Sequence, residues 1–223
     1  MIAVISADII GYTSLEEKQA NQVLKTLQDL FDKLEGTRSN LGTDFRIKRG
    51  DAVQGEISNP IEALKFGLIL KAAVAKITFE TDDNKKKRPD IDIRIAIGLG
   101  EADVIRNKVD ESTGSAYINS GRTLDAMKKE KQLFAIKTNN KELNQELETE
   151  FKLLDSILTA WNITSAEFIY WTLFGLTETE ISKKINTSQS AVNQRKKKAG
   201  WSGIEALLKR YEVLIDKELK QWK

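Results

Sequence analysis

The hydrophobic pattern of the chain changes its period near residue 140, and this change limits the fold more than any other feature. Before it, strand-like alternation, clearest in residues 91–97, is interspersed with helical stripes. After it, every apolar stripe has helical spacing, beginning with Leu143 and Leu147. The change predicts three segments: an α/β domain over 1–138, a connecting helix over 139–160 and an all-α domain over 161–223.

The first segment predicts the element order strand, helix, hairpin, helix, hairpin, helix, strand. The two hairpins fall in 45–57 and 91–105, and Thr13 or Ser14 is expected to cap the first helix. This order favours an α/β sandwich in which the helices lie on one face of a mainly antiparallel sheet.

Two residue types are missing, and their absence excludes whole classes of chemistry. The 223 residues include neither cysteine nor histidine. Disulfides, thiolate metal sites and histidine-based catalysis are therefore excluded, and a bound metal would be a hard cation held by carboxylates. The sequence shows no signal-peptide pattern and no membrane-spanning stretch. We therefore expect a soluble, cytoplasmic protein without a membrane partner.

Positive charge is concentrated in the last third of the chain. Residues 151–223 contain 12 Lys or Arg and 8 Asp or Glu, a net charge of +4, whereas the whole chain carries +2. Four of these cations are consecutive, at 195–198. A basic cluster on one element is typical of phosphate contacts, although lysine runs also occur on ordinary solvated faces.

Several motifs of the first segment resemble those of class III nucleotidyl cyclases. Residues 7–15 read A-D-I-I-G-Y-T-S-L, similar to the family signature A-D-I-x-G-[FY]-T-x-L. Residues 49–51 resemble the hairpin tip that carries the second metal carboxylate, and 94–100 resemble the central strand. Gly114 and Arg122 match the later glycine and the transition-state arginine. The resemblance implies a ferredoxin-like, cyclase-type sandwich within an α+β protein.

The resemblance also implies a site. In the family two carboxylates hold a pair of Mg²⁺ or Mn²⁺ ions, which neutralise the triphosphate of a bound nucleotide and activate a ribose hydroxyl. The corresponding residues are metal ligands Asp8 and Asp51, nucleotide contacts Ile9, Gly11 and Thr13, and, in an active enzyme only, catalytic Arg122.

Three positions depart from the cyclase pattern. The purine-reading lysine is replaced by Ile47, the ribose-orienting asparagine by Ile118, and the purine-reading acidic position falls near Glu111. Apolar side chains cannot hydrogen-bond a purine or a ribose, so we expect negligible cyclase activity. Asp8 and Asp51 also have a plainer interpretation, because aspartates commonly cap the turns that follow strands.

The last segment contains the pattern of two helices joined by a tight turn. Two capping boxes are expected, at 164–167 and 177–180, with Gly175 ending the helix between them. Residues 180–192 resemble, without a gap, the helix-turn-helix of sigma-factor region 4 and LuxR-type regulators. Ser188 is expected to cap the second helix, which would be the recognition helix.

The resemblance implies two groups of DNA contacts. Amides and hydroxyls at the start of the recognition helix would contact base edges: Gln189, Ser190, Asn193 and Gln194. Cations would contact phosphates: Lys183, Arg195, Lys197 and Lys198. A helical bundle used for protein contact is the alternative.

Taken together, the two segments resemble SatD-type bacterial proteins. We interpret the chain as a transcriptional regulator that binds double-stranded DNA, with a degenerate cyclase-like domain that dimerises and senses a nucleotide or a metal. The alternatives are an active, divalent-metal-dependent cyclase and a protein-contact scaffold. We expect a homodimer, from the cyclase resemblance and from an apolar stripe that either dimerises or packs within the chain: Ile204, Leu207, Leu208, Tyr211, Ile215, Leu219 and Trp222.

Overall fold

A computed structural model describes residues 1–37, 43–48, 50–80, 86–102 and 113–222. Arg49, Glu111 and the expected strand at 103–105 lie outside the described residues. The strands are β1 (Ile2–Ile10), β2 (Thr43–Lys48), β3 (Ala52–Ile57), β4 (Phe79–Glu80), β5 (Lys86–Lys87), β6 (Asp92–Gly100) and β7 (Phe134–Lys137). The helices are α1 (Glu17–Thr37), α2 (Ala63–Ala75), α3 (Ser115–Glu130), α4 (Lys141–Thr159), α5 (Ile163–Leu173), α6 (Glu178–Lys184), α7 (Gln189–Lys198) and α8 (Trp201–Gln221).

Five strands form the main sheet, in the order β2-β3-β1-β6-β7. β1 lies in the middle and pairs antiparallel with β3 and β6, and only β7 is parallel to its neighbour β6. The predicted α+β composition and the mainly antiparallel sheet are confirmed. β4 and β5 form a separate two-stranded sheet.

One face of the sheet is covered by α1 and α2. Gly55 in β3 lacks a side chain where the Phe45 ring of β2 crosses it, since a Cβ there would overlap the ring. Phe45 in turn stacks on Phe31 of α1, with ring centroids 5.3 Å apart, and contacts Phe66 of α2 at 6.1 Å. These rings form the centre of the apolar layer on this side of the sheet.

The opposite face carries α3, so the prediction that the helices lie on one face is wrong. Ser6 Oγ of β1 and Ser120 Oγ of α3 are 2.9 Å apart, and both residues are buried. A Cβ on Gly98 of β6 would lie 3.0 Å from Ser120 Cα and would overlap the Ala116 carbonyl oxygen. Because Ser6, Ala96 and Gly98 are small, the helix backbone approaches the sheet closely, and this second face of the sheet is covered as well.

α2 joins the sheet to the helical segment. Every residue of α2 except Lys65 is buried, because the helix packs against β6 on one side and α5 on the other. A continuous apolar cluster therefore runs from β1 through α2 to Ile169 of α5 and Ile215 of α8. The buried Lys71 donates a hydrogen bond to Asp92, and burial lowers its pKa against the raising effect of that carboxylate.

The apolar stripe of α8 packs within the chain. Ile204, Tyr211 and Ile215 are fully buried, and the Tyr211 hydroxyl donates to the Pro60 carbonyl oxygen at 3.0 Å. α8 thus contacts the turn before α2 as well as α4 and α7. The fully buried residues of the stripe therefore pack within the chain, whereas Leu207, Leu208 and Leu219 are only partly buried.

The helix starts in the last third test the capping predictions. The box at Thr177 is confirmed, since its side chain accepts from the Glu180 N–H and the Glu180 carboxylate accepts from the Thr177 N–H. Ser188 caps α7 through the Ala191 N–H, as predicted. The box at 164–167 is wrong: α5 begins two residues earlier than that pattern requires, and Asn162 caps it through the Ser165 N–H at 2.9 Å.

Candidate functional site

Asp8 lies at the end of β1, between β3 and β6. In the register of the sheet it is opposite Ala52 on one side and Arg94 on the other. The Ile9 N–H donates to the Asp51 carbonyl oxygen at 3.0 Å, so Asp51 directly adjoins this end of β1. The fold therefore places the two aspartates on neighbouring chain segments.

The Asp8 carboxylate is engaged by cations of the chain itself. Arg94 Nη1 lies 3.0 Å from both carboxylate oxygens, and Lys128 Nζ of α3 lies 3.4 Å from one of them. A divalent ion would have to displace these groups to reach the oxygens. Among the described residues, no three carboxylates gather as a metal site. The arrangement fits an ion-pair network better than a pair of metal ions, and metal binding at Asp8 and Asp51 stays a prediction.

The loop after β1 has a tight backbone. Gly11 has a φ of 78°, and a Cβ there would overlap the Asp90 carbonyl oxygen, so only glycine fits. Residues Tyr12–Ser14 form a short 3-10 helix, and α1 begins at Glu17. The expectation that Thr13 or Ser14 caps α1 is therefore wrong. Thr13 is exposed. The Ile9 side chain is buried, and the Ile9 N–H already donates to the Asp51 carbonyl oxygen, so this N–H is not available to a phosphate.

Arg122 lines a cleft that the two aspartates do not line. It is exposed on α3 and lines a cleft of about 450 Å³ between α3, β7 and α4, together with Lys137 and Glu130. Neither Asp8 nor Asp51 lines this cleft, and a catalytic role of Arg122 stays a prediction. The nearby Asn119 donates to the Leu99 carbonyl oxygen and to Asn139 Oδ1, at 2.9 and 3.0 Å.

α6 and α7 are joined by a four-residue turn and cross on an apolar contact. Ile181 of α6 and Val192 of α7 are fully buried, and Ile185 in the turn is partly buried. Ser182 is buried between them, and its hydroxyl donates to the Thr179 carbonyl oxygen at 2.8 Å. Asn186 in the turn has a φ of 49°, a left-handed conformation that asparagine tolerates better than most residues.

One side of α7 is exposed and free of acidic residues. The helix sequence Q-S-A-V-N-Q-R-K-K-K contains no aspartate or glutamate. Six of its side chains are exposed: Gln189, Ser190, Asn193, Gln194, Lys197 and Lys198. Lys183, near the end of α6, is exposed as well. The Gln189 amide donates to Thr179 Oγ1 at 3.2 Å, which orients it beside the start of α6.

The other two cations of α7 are used within the protein. Arg195 Nη1 donates to Glu167 Oε2 of α5 at 2.6 Å, and Lys196 Nζ donates to Glu178 Oε1 of α6 at 2.8 Å. The Arg195 side chain is only 20% exposed. The structure thus gives Arg195, a predicted phosphate contact, the role of holding α7 on α5.

A cluster of lysines around the aromatic end of α5 has no counterpart in the sequence prediction. Lys33 Nζ of α1 lies 3.7 Å from the ring centroid of Phe174 and 4.7 Å from that of Trp171, and Lys184 Nζ of α6 lies 4.3 Å from the Trp171 ring. Burial lowers the pKa of Lys33, as do the charges of Lys184 and Lys76. The lysines come from distant parts of the chain, so no local pattern could have identified the cluster.

No model of a known protein family matches the chain, and a search of the curated proteins gives no relative. A search of solved structures finds the dimeric guanylyl cyclase domain of the RhoGC fusion protein from the aquatic fungus Blastocladiella emersonii. The identity is 18%, over 54% of this chain and 71% of that chain, with a TM-score of 0.34. Among the described residues, no helix has the length and apolar character needed to cross a membrane.

Proposed function

We propose that the chain is a DNA-binding regulator of a bacterial cytoplasm, and that α7 is its recognition helix in the major groove. The observation that carries this proposal is the exposed, acid-free side of α7. Polar amides and a hydroxyl lie in its first half, and Lys197 and Lys198 lie in its last turn. The remaining cations of the helix are neutralised by Glu167 and Glu178, so the exposed charge is confined to one side.

The two halves of α7 suit different parts of a DNA duplex. Asparagine and glutamine amides pair with adenine through two hydrogen bonds in the major groove, and such a pair discriminates against a wrong base by about 1–3 kcal/mol. Lysines neutralise phosphates and release counterions, which gives affinity but no sequence information. Asn193 and Gln194 are therefore proposed to contact bases, and Lys183, Lys197 and Lys198 to contact phosphates.

We assign the α/β part a regulatory role and no catalysis. Asp8 is paired with Arg94, and Arg122 lines a cleft that Asp8 does not line. Ile118, where the cyclases carry a ribose-orienting asparagine, is exposed on α3 and offers no hydrogen bond. A nucleotide or a divalent cation remains the candidate ligand of this part, from the motif resemblance alone.

The test is a fluorescence-anisotropy titration of the full chain against genomic fragments at two salt concentrations. The double variant Lys197→Ala, Lys198→Ala is expected to weaken binding to all sequences and to lower the salt slope by about 1.8, about 0.9 for each phosphate contact. Asn193→Ala is expected to cost about 1–3 kcal/mol on the specific site and little on random DNA.

Lys220→Ala is the matched control, because this lysine is 74% exposed near the end of α8, away from α7 in the sequence. It should leave the salt slope unchanged. A folded wild-type chain without salt-dependent affinity for any fragment would contradict the proposal and favour the protein-contact scaffold.

A further inference from the structure

Three lysines from different helices gather at the end of α5, where that helix meets the α/β part of the chain. Lys76 ends α2, and its Nζ lies 4.6 Å from the ring centroid of Tyr170. Lys33 Nζ of α1 lies 5.3 Å from the same centroid, and Lys184 Nζ of α6 lies 4.3 Å from that of Trp171. We call this group the lysine–aromatic cluster, and it comprises Lys33, Lys76, Tyr170, Trp171, Phe174 and Lys184.

The cations of the cluster are close enough to repel one another. Lys33 Nζ and Lys184 Nζ lie 4.7 and 4.3 Å from the Trp171 centroid, so the two are less than about 10 Å apart. This separation is about one Debye length at 0.1 M salt, so salt does not fully screen the repulsion. The charges of Lys184 and Lys76 accordingly lower the pKa of Lys33. An anion beside the three lysines would offset this repulsion.

The carboxylates of the chain do not balance the cluster. Among the described residues, Lys76 and Lys184 form no ion pair. The charge of Glu167 raises the pKa of Lys76 against the effect of burial, but the same carboxylate already accepts a hydrogen bond from Arg195 at 2.6 Å. The cluster therefore keeps a net positive charge beside a partly exposed aromatic surface.

The Tyr170 hydroxyl adds a hydrogen-bond donor to the cluster. The residue is only 8% exposed, and its hydroxyl bonds to none of the described residues; burial raises its pKa. The oxygen still touches solvent, since the enclosed side-chain atoms without a partner belong to Gln54, Arg94 and Glu150 among the described residues. A phenol hydroxyl that is almost buried and has no partner in the chain can donate to an oxyanion.

The charge of the cluster indicates the ligand chemistry. Ammonium and phenol groups both donate short hydrogen bonds to phosphate oxygens. A single phosphate ester carries a charge of about −1.5 to −2 near pH 7, which does not balance three lysines. A diphosphate group carries more negative charge on more oxygens and matches them better. It could be inorganic diphosphate or the diphosphate of a nucleotide.

The orientation of α6 separates the cluster from the proposed DNA contacts. The Gln189 amide at the start of α7 donates to Thr179 Oγ1, so the side of α6 that carries Thr179 adjoins the proposed recognition helix. Lys183 follows Thr179 by four residues and is about 40° away around the helix, whereas Lys184 is about 140° away. Lys183 thus shares the side of the DNA contacts, and Lys184 lies on Trp171 instead.

We propose that the lysine–aromatic cluster binds a diphosphate group through the ammonium groups of Lys33, Lys76 and Lys184 and through the Tyr170 hydroxyl. This inference goes beyond DNA binding and would hold for a chain that binds no DNA. Its donors come from α1 and α2 of the α/β part and from α5 and α6 of the helical segment. A bound diphosphate would therefore link the two parts and stabilise their junction.

The test is isothermal titration calorimetry of the full chain with inorganic diphosphate, at low salt and without divalent metal. Lys184→Gln is expected to raise the dissociation constant by about tenfold or more, because a hydrogen bond between charged groups is lost. Lys184 is exposed, so the substitution does not disturb the core. Lys183→Gln is the matched control: it removes the same charge from the next residue, on the other side of α6, and should leave the constant unchanged.

A second variant tests the hydroxyl. Tyr170→Phe keeps the ring and its contacts, and it is expected to raise the dissociation constant about 2–10-fold through loss of one neutral donor. It also decides the question if far-UV circular dichroism shows that Lys184→Gln does not fold, because an unchanged constant in Tyr170→Phe would then refute the site.

Two further titrations distinguish the sources of the diphosphate. Adenosine diphosphate that binds more tightly than inorganic diphosphate would identify a nucleotide as the ligand. Equal or weaker binding would identify the diphosphate group itself. Inorganic phosphate is expected to bind more weakly than either, and phosphate that binds as tightly as diphosphate would contradict the charge argument.

The inference fails if the wild-type chain binds neither inorganic diphosphate nor adenosine diphosphate at concentrations up to about 1 mM. It fails as well if Lys183→Gln and Lys184→Gln weaken binding equally, since the attraction would then be non-specific. If Lys184→Gln weakens DNA binding while diphosphate does not bind, the cluster is a contact for DNA phosphates instead.

Discussion

Gly98→Ala tests whether α3 packs directly on the second face of the sheet. Gly98 is in β6, under the first half of α3, where its bare Cα lets the helix backbone approach. An added Cβ would lie 3.0 Å from Ser120 Cα and closer still to the Ala116 carbonyl oxygen and the Ser120 nitrogen. All three neighbours are backbone atoms, so no side-chain rotation can relieve the overlap.

The magnitude follows from the movement that the methyl group forces. Carbon atoms in good contact are about 3.5–4.0 Å apart, so α3 must move outward by at least about 0.5 Å. Overpacking of this kind costs about 1–3 kcal/mol. The movement also stretches the hydrogen bond between the buried Ser6 and Ser120 hydroxyls, and losing it adds about 1–3 kcal/mol. We expect a total loss of about 2–6 kcal/mol, a large part of a typical stability of about 5–15 kcal/mol.

The assay is urea unfolding followed by far-UV circular dichroism, with Gly121→Ala as the matched control. Gly121 lies in the same helix α3, and a Cβ there meets nothing within 4 Å. Because alanine favours a helix interior, this control should raise the free energy of unfolding by about 0.5–1 kcal/mol. If Gly98→Ala stays within about 0.5 kcal/mol of the wild type, the close packing of α3 on the sheet is refuted.

Two further predictions concern the helical segment. Thr177→Ala should lower the free energy of unfolding by about 1 kcal/mol, because the capping box is lost. Thr164→Ala should change it by less than about 0.5 kcal/mol, because Asn162 caps α5. Equal effects of the two substitutions in urea unfolding would contradict this prediction. Burial raises the pKa of Tyr211, so the unfolded state alone releases this proton above about pH 10 and stability falls as pH rises. Tyr211→Phe should reduce that alkaline loss while costing about 1–3 kcal/mol near pH 7, where the Pro60 carbonyl loses its donor; an unchanged alkaline slope would count against the assignment.

The sequence determined features that depend on neighbouring residues. The strand alternation of 91–97 and the helical stripes after residue 140 identified the α+β class, because side-chain periodicity follows from backbone geometry alone. Thr177 and Ser188 were predicted correctly as caps, since a hydroxyl bonds to an N–H only three residues away. The capping box predicted at 164–167 was wrong, because Asn162, two residues before Thr164, caps α5 instead.

For the candidate DNA interface, too, the sequence determined one part and the tertiary structure decided the other. Which residues α7 contains was evident from the sequence, and so was their chemistry. Which of its cations face solvent was not, because Glu167, the partner of Arg195, is 28 positions away. Glu167 itself had been assigned to the capping box, and only the packing of α5 against α7 shows its role.

Tertiary structure alone decided how the layers come together. The small residues Ser6 and Gly98 are as compatible with a solvated sheet face as with a covered one, until α3 occupies that face. α2 is apolar apart from Lys65 and Lys71, and its sequence does not indicate that one of its sides meets α5. Periodicity reports which side of an element is apolar, and it cannot report which distant element covers that side, because that contact depends on the path of the whole chain.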